Sequence, residues 1–409
     1  MFLERLSLKS KIALGLISSY SIYAAIVVYK TNSEIEKRTK KYHQDKDGVA
    51  RFGPLVVLGR YQNPFYEYEH ETLFHFAYNQ VRKLFSVKNI VNVENSTAWR
   101  LHMPIYKPDF FLMFNNSKIK NDINPEDSDE MVANRYHSIP PLSSRLVFTW
   151  LGQSSAYIQI SDKNILTDPV FNDHIINKRF GPKRLTPSPA QIEDLPTPDI
   201  VLVSHNHPDH LEPDSIKKLS TKKNTLWVVP DGVGSQLKSN GVESSKIIEM
   251  SWWQRQRLDE HWEVACCPAK HWSGNWFIDF NNSLWCSFIL FKDQKPVLYH
   301  MGDTGYQQDL FESIKSQYCA NQPISLILAP IGQYTTSKVT NHHHMSPTEV
   351  VKVASFFNAK KTMGVHYGTF ALGLEPLAEP RRLLAEMAAA EGLNGVFPGE
   401  FGQTVTCKI

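Results

Sequence analysis

The sequence predicts an α/β protein built from two β-sheets with helices on their outer faces. Short apolar runs rich in β-branched residues recur along the chain, and glycine, proline or polar residues end each one, which is typical of buried strands. Isolated helical segments follow runs of such strands, as they do when helices cover stacked sheets. A hydrophobic content of 42% and a charged content of 21% indicate a globular protein with a substantial core.

The first element in the chain is an uncharged segment, residues 12–29, between Lys11 and Lys30. As a helix it would span roughly 27 Å, near the lower limit for crossing a bilayer. We interpret it as a retained single-pass anchor. A cleaved signal peptide and a transit-type targeting segment are the alternatives, because Arg5 and Lys9 precede it. The protein should therefore associate with a membrane, and an organelle membrane such as the mitochondrial inner membrane is one candidate.

Three regions follow from this pass along the sequence. Residues 1–50 combine the anchor or targeting segment with a basic linker, which either rests on anionic headgroups or is solvated. Residues 51–143 form an aromatic-rich extension, with a helix predicted over 71–85 and a polar, acidic loop over 115–131. Residues 144–409 form the catalytic domain.

The catalytic domain alternates between predicted strands and a few helices. The strands are predicted at 146–151, 157–160, 165–168, 200–203, 225–229, 264–267, 285–291, 297–299, 324–328 and 361–365. The helices are predicted at 215–220, 235–240, 307–316, 347–357 and 379–391. The helix that begins at Pro347 has the clearest start, because Ser346 can cap it and Glu349 can complete a capping box.

One stretch concentrates metal-binding side chains directly after a buried strand. The strand predicted over 200–203 is followed within a few residues by His205, His207, Asp209 and His210. Imidazole nitrogens and carboxylate oxygens are the ligands that Zn²⁺ takes in proteins. Alternate residues of an extended turn face the same way, so this turn can supply two adjacent metals. The spacing predicts a metal site.

Later strand ends supply the remaining ligands. His271, Asp303 and His366 each follow a predicted strand, Asp168 also ends a strand, and a histidine run at 342–344 precedes the capped helix. Any one of these side chains alone would more often be an ordinary hydrogen-bonded residue. Together with the first turn, they complete the ligand count for two metals.

The candidate ligands divide into two sets and a bridge. The assignment is His205, His207 and His271 for one metal, Asp209, His210 and His366 for the other, and Asp303 for the bridge. A water between two Zn²⁺ has a pKa lowered toward neutrality, and two cations neutralise the charge that develops on a phosphate under attack. The sequence therefore predicts a two-metal site suited to hydrolysis, in which Asp209 and Asp303 are the catalytic candidates.

Charge and cysteine content exclude other classes. The formal net charge of +3 is too small to favour nucleic-acid binding, so no nucleic acid is expected as a partner. The five cysteines have no CxxC spacing and form no disulfide framework. We expect free thiols, which weakly favours a reducing compartment.

Several longer motifs resemble those of a known family, the N-acylphosphatidylethanolamine-hydrolysing phospholipases D of the metallo-β-lactamase fold. Residues 205–210 read His-Asn-His-Pro-Asp-His, and the resemblance covers roughly residues 147–373. The other stretches that carry it are 149–152, 166–169, 181–184, 270–272, 302–306, 330–332 and 366–371. Two positions depart from the pattern: Gln153 stands where many relatives have His, and Tyr367 where Trp is common.

The resemblance implies an αββα sandwich, a di-zinc centre, an apolar cavity that faces the membrane, and a homodimer. It also implies that His344 lies near the scissile phosphate, where it orients the phosphate or donates a proton to the leaving oxygen. The implied reaction is hydrolysis of a membrane phospholipid with an N-acylated ethanolamine headgroup, which yields phosphatidic acid and an N-acylethanolamine. Two alternatives stay open: a phosphodiesterase or lactonase of the same fold with a small soluble substrate, and a catalytically silent binding protein.

Overall fold

The computed structural model describes residues 7–65, 103–115, 139–179, 181–275, 279–320, 322–335 and 343–409. The helix predicted over 71–85 and nearly all of the acidic loop lie outside these ranges. The strands are β1 (Leu55–Val57), β2 (Arg60–Gln62), β3 (Arg145–Gly152), β4 (Ser155–Ile160), β5 (Lys163–Thr167), β6 (Ile200–Leu202), β7 (Leu226–Pro230), β8 (Ile247–Met250), β9 (Arg255–Arg257), β10 (Trp262–Cys267), β11 (Ser287–Lys292), β12 (Lys295–His300), β13 (Leu326–Pro330), β14 (Lys361–Val365), β15 (Val396–Pro398) and β16 (Thr404–Lys408). The α-helices are α1 (Leu8–Asp45), α2 (Gly48–Arg51), α3 (Phe110–Asn115), α4 (Pro213–Ser220), α5 (Gly234–Ser239), α6 (Gln308–Ile314), α7 (Pro347–Phe356) and α8 (Glu379–Ala390).

Two seven-stranded sheets form the catalytic domain. Their strand orders are β16-β3-β4-β5-β6-β7-β8 and β9-β10-β11-β12-β13-β14-β15. In the first sheet, antiparallel pairs give way to parallel pairs from β5 to β8, and in the second sheet they do so from β12 to β15. The parallel strands of each sheet end at the same edge of that sheet. The predicted ligands follow β6 in the first sheet and β12 and β14 in the second, so they lie at these edges.

The main core lies between the two sheets. Trp150 and Phe148 from β3 belong to the same buried cluster as Phe288 of β11 and Leu328 of β13. A second cluster lies on the outer face of the first sheet, where Ile216 and Leu219 of α4 and Leu237 of α5 pack with Val201 and Val229. Burial on both faces explains why these strands read as continuous apolar runs. The predicted αββα sandwich is confirmed.

The capping box of α7 is present as predicted. The Ser346 hydroxyl accepts a hydrogen bond from the Glu349 amide, and the Glu349 carboxylate accepts one from the Ser346 amide at 2.8 Å. The strands that sequence reasoning missed are β1, β2, β8, β9, β15 and β16, each of five residues or fewer. β9 is exposed along its whole length, and β1 and β2 form a separate two-stranded sheet.

The N-terminal helix α1 is longer than the uncharged segment that predicted it. It runs for 38 residues, so the basic run expected as a linker continues the same helix. Acidic residues one turn away pair with this run, with Lys40 Nζ 2.6 Å from Glu36 Oε1 and Arg38 Nε 3.1 Å from Glu34 Oε1. The described residues contain one helix long and apolar enough to cross a membrane, and it is α1.

The second half of α1 packs on the hairpin formed by β1 and β2. Val27 and Ile35 are buried in one cluster with Leu55 and Val57. Farther along the helix, Arg38 Nη1 donates a hydrogen bond to the carbonyl oxygen of residue 53 at 2.7 Å. The first half of α1 is exposed, so among the described residues it is the second half of the helix that holds it to the protein.

We predict that Ile35→Ala loosens this docking. Ile35 is 1% exposed, and truncating a buried isoleucine to alanine costs about 2–5 kcal/mol, with the low end expected for so small a cluster. Hydrogen exchange of the β1 and β2 amides should accelerate. Ile12→Ala is the matched control, because Ile12 is 55% exposed and its truncation should leave exchange unchanged in detergent. Equal effects of the two variants would contradict the docking.

Candidate metal centre

The predicted ligands converge from four turns at strand ends. One turn follows β6, and the others follow β10, β12 and β14. Every imidazole in the predicted set is buried, and the Asp209 side chain is 13% exposed. Gly302 permits the closest approach of two turns: its φ is +57°, and a Cβ there would lie 2.4 Å from the Cβ of Ser204. The Asp303 turn therefore packs directly on the His205 turn.

The donor atoms form the two sets that the sequence predicts. One set contains His205, His207 and His271, the other contains Asp209, His210 and His366, and within each set the donor atoms lie within 4.8 Å of one another. Asp303 lies between the sets. Its Oδ2 is 3.1 Å from Nε2 of His210, 3.1 Å from Nε2 of His366 and 3.6 Å from Nε2 of His271. The structure brings all seven side chains together, and their ligation of metals stays a prediction.

Several of these atoms are buried without a hydrogen bond among the described residues. They are His210 Nε2, His366 Nε2, Asp303 Oδ1 and His344 Nδ1. Burying a polar atom without a partner is costly, and the three imidazole nitrogens all lie within 3.8 Å of Asp303 Oδ2. Imidazole nitrogens with bridging carboxylate oxygens suit Zn²⁺ and similar cations. The residues present therefore fit a two-metal centre.

Burial and neighbouring charges set the protonation of these groups. Burial would raise the pKa of Asp303, but His210 and His366 hold that pKa well below its usual range. Burial lowers the pKa values of His205 and His271 well below the ordinary value, so both imidazoles are neutral. An ionised carboxylate and neutral imidazoles are the forms that bind a divalent cation.

His210 and His366 have raised pKa values instead. Burial would lower both, but the Asp303 carboxylate raises the pKa of His366 to about 9 and that of His210 well above its ordinary value. The carboxylates at this point thus attract positive charge strongly. Cations would displace these protons, because a metal binds the unprotonated imidazole nitrogen.

Asp168 holds the ligand turn that follows β6 through several hydrogen bonds. Its carboxylate accepts hydrogen bonds from the Ser204 amide at 2.7 Å and the Ser204 hydroxyl at 2.8 Å, and it lies 2.9 Å from His210 Nδ1 and 3.0 Å from His300 Nε2. The Ser204 hydroxyl also lies 2.9 Å from His205 Nδ1. Burial would raise the pKa of Asp168, but His300 and His210 lower it to about 2. Asp168 is thus an ionised acceptor that orients ligand imidazoles, rather than a candidate ligand itself.

The histidine run contributes in two different ways. His342 lies outside the described residues. The carbonyl oxygen of His343 lies 3.2 Å from His271 Nδ1, which leaves His271 Nε2 directed at the candidate site. The His344 side chain is buried beside the ligands: its ring stacks on His366 at 5.3 Å, and its Nδ1 lies 3.8 Å from Asp303 Oδ2.

Sequence reasoning missed two residues that hold the ligands. Gln153 Nε2 donates to Asp209 Oδ2 at 2.7 Å, and its carbonyl oxygen accepts from the His366 amide at 2.9 Å. Its φ of +49° is unusual for glutamine. The one available signal was its departure from the family pattern. His300 is the second missed residue, and it lies 3.0 Å from Asp168. Its position at the end of β12, three residues before Asp303, was the signal that could have identified it.

We predict that Asp303→Asn lowers metal content. Asparagine keeps the size of the side chain but removes the negative charge between the two ligand sets. Bound metal, measured by elemental analysis of the purified protein, should fall below the wild-type stoichiometry. Asp293→Asn is a suitable control, since Asp293 lies in the exposed turn between β11 and β12. Unchanged metal content in Asp303→Asn would disprove the bridging assignment.

Comparisons with known proteins identify the family of this chain. A family model described as the Beta-lactamase superfamily domain matches residues 163–367. The chain is 35% identical over 408 residues to the mitochondrial N-acyl-phosphatidylethanolamine-hydrolyzing phospholipase D of Saccharomyces cerevisiae, a match that covers 95% of this chain and 85% of that protein. It is 31% identical over 269 residues to N-acyl-phosphatidylethanolamine-hydrolyzing phospholipase D 1 of Caenorhabditis elegans, which covers 64% of this chain and 73% of the worm protein.

A solved structure supports the fold alone. The isothiocyanate hydrolase from Delia radicum gut bacteria superposes with a TM-score of 0.51 at 15% identity, over 64% of this chain and 100% of that chain.

Proposed function

The chain belongs to the N-acylphosphatidylethanolamine-hydrolysing phospholipase D family of the β-lactamase superfamily, a family of metal-dependent hydrolases, and we propose that it is itself a zinc-dependent phospholipase D. Its substrate would be N-acylphosphatidylethanolamine, and its products phosphatidic acid and an N-acylethanolamine. The observation that carries the proposal is the pair of three-ligand sets around Asp303. The names of the yeast and worm relatives support the choice of substrate.

The two sets would hold one Zn²⁺ each, with Asp303 between them. When bound, the pair of cations makes a water nucleophilic near neutral pH and neutralises charge on the phosphate. Attack at phosphorus breaks the bond to the headgroup oxygen, and that oxygen must gain a proton to leave as the alcohol of the N-acylethanolamine. Asp168 and Gln153 hold His210 and Asp209 in place during this reaction, because each donates or accepts a hydrogen bond at 2.7–2.9 Å.

His344 is the residue that we assign to the substrate side. Burial lowers its pKa to about 3, so its ring is neutral and offers one N–H donor and one acceptor nitrogen. It lies beside Asp303, and its donor atom is within 4.8 Å of those of His271 and Asp303, but it is not among the three ligands that we assign to either metal. A neutral histidine at this place can orient the phosphate through its N–H, or relay a proton to the leaving oxygen while its acceptor nitrogen takes up another proton.

We also propose that α1 anchors the enzyme in the membrane that contains its substrate. The packing of Val27 and Ile35 against the first hairpin supports a retained helix over a cleaved signal, because cleavage would uncover Leu55 and Val57. The name of the yeast relative supports a mitochondrial membrane, with the inner membrane as our candidate. The homodimer implied by the resemblance stays a prediction.

The function is tested by the products that the full-length protein releases. Purified protein, loaded with zinc, should convert N-acylphosphatidylethanolamine in phosphatidylcholine vesicles to equimolar phosphatidic acid and N-acylethanolamine, as measured by lipid mass spectrometry. Chelation should stop the reaction and zinc should restore it. Turnover of a small aryl phosphodiester or a lactone, without turnover of the lipid, would instead support the soluble-substrate alternative.

We predict that His344→Ala keeps its zinc and loses most of its rate. The loss typical of a proton-transfer group is about 10²–10⁴-fold. Zinc content and lipid turnover should be measured on the same preparation. His261→Ala is the matched control, because His261 has a side chain that is 61% exposed in the turn before β10. Loss of zinc in His344→Ala would make His344 a ligand, and unchanged turnover would remove it from the reaction.

A further inference from the structure

The hairpin of β1 and β2 ends in an apolar tip. Its two-residue turn is Leu58–Gly59, with φ values of +50° and +80°. Asparagine and glycine favour this left-handed conformation, whereas a leucine is strained in it. Leu58 is nevertheless 51% exposed, and the nearby Val56 is 54% exposed. In water this turn would combine backbone strain with an exposed apolar side chain. An apolar environment would favour a leucine side chain at this position, and that gain would offset the strain.

The tip lies level with the end of the uncharged segment of α1. The strand begins beside Arg38, whose guanidinium contacts the carbonyl oxygens of residues 53 and 54, and the same cluster then reaches Val27. From Arg38 to Val27 the helix rises about 16 Å, and from residue 53 to Leu58 the strand rises about 16 Å. β1 therefore runs toward the N-terminus of α1 and carries Leu58 to about the height of Val27.

We propose that this hairpin tip is a second membrane contact, in which Leu58 and Val56 enter the headgroup–acyl boundary of the bilayer that α1 crosses. The inference rests on the anchor proposed above. The exposed apolar surface of α1 continues at this height through Ile22 and Ile26, which are 63% and 42% exposed. Charge contributes less to the contact, because acidic residues on the same helix pair with most of the basic run.

The hairpin also connects the membrane contact to the candidate metal centre. Immediately after β2, the side-chain amide of Asn63 donates a hydrogen bond to the carbonyl oxygen of His271. Tyr61 donates its amide to the Asn281 carbonyl at 2.9 Å, and Arg60 contacts the Phe280 carbonyl. Leu58 and Asn63 are five residues apart, so at most about 18 Å separates them. A tip in the bilayer surface would thus hold Asn63, which contacts the turn that carries His271, within about 18 Å of the headgroup–acyl boundary.

Single cysteine labels test the contact in the full-length protein. Of the five native cysteines four are buried and Cys407 is half-buried, so an added surface cysteine should react preferentially. A fluorophore would be attached to Leu58→Cys, to Ile17→Cys within the exposed part of α1, and to Gln294→Cys. Gln294 is the matched control, because it lies exposed in another hairpin turn with a φ of +67°.

Each labelled protein would be reconstituted into phosphatidylcholine vesicles with a minor anionic phospholipid, with or without bromine on the acyl chains. We expect brominated lipid to quench the labels at residues 58 and 17 and to leave the label at 294 unaffected, while aqueous iodide quenches the label at 294. Quenching at 17 without quenching at 58 would overturn the hairpin contact and keep the anchor. Lipid quenching at neither position would overturn both and leave the catalytic proposal to the product assay. Quenching at residue 58 alone would support the hairpin contact and would contradict the proposal that α1 crosses the bilayer.

The Leu58→Asn variant gives an independent readout. Asparagine relieves the left-handed strain, so this variant should fold at least as well as the wild type. Losing about half of the transfer free energy of a leucine should lower lipid turnover in vesicles about fivefold, with turnover of detergent-dispersed lipid and zinc content unchanged. Gln294→Asn should change neither rate. Equal turnover of Leu58→Asn and wild type in vesicles would contradict the proposal.

Discussion

The buried carboxylate of Asp168 joins the two sheets at the point where the candidate site is built. It follows β5, and it receives the Ser204 amide and hydroxyl from the end of β6 in the same sheet. It also lies 3.0 Å from His300, which ends β12 in the other sheet. A buried charge needs several partners at once, so the ends of these strands can hardly shift without leaving that charge uncompensated. His205, His210 and Asp303 all lie within a few residues of these partners, and their positions follow from this constraint.

The same reasoning explains which parts of the fold the sequence could predict. β3 to β7 and β10 to β14 are buried on both faces, so their apolar runs are continuous and their ends are visible as abrupt changes to polar residues. The candidate ligands sit at those ends, which is why residue type and position together identified them. β9, which reads Arg-Gln-Arg and is exposed throughout, has no such pattern. Its strand conformation comes from pairing with β10, which no local sequence signal encodes.

The roles of Gln153 and His300 depend on tertiary contacts in the same way. Gln153 reaches Asp209 across 56 positions of the chain, and His300 reaches Asp168 across 132. Both residue types are common as ordinary polar residues, so neither stands out without the fold.

The extent of α1 was underestimated for a different reason. The segment was bounded at its first lysine, whereas helix formation tolerates charged residues well when acidic partners lie one turn away.

The unbroken helix α1 also fixes the angle between its docked face and its exposed N-terminal half. Each residue of an α-helix rotates the next side chain by about 100°, so the docked face with Val27 and Ile35 has a set angular phase relative to the exposed residues before it. A one-residue insertion between that face and residue 12 would turn the exposed N-terminal half by this angle without altering the docking. An insertion between Val27 and Ile35 would instead separate the two docking residues onto different sides of the helix. The length of this short stretch is therefore constrained by rotation, and lengths that differ by about seven residues are the ones that keep the same facing.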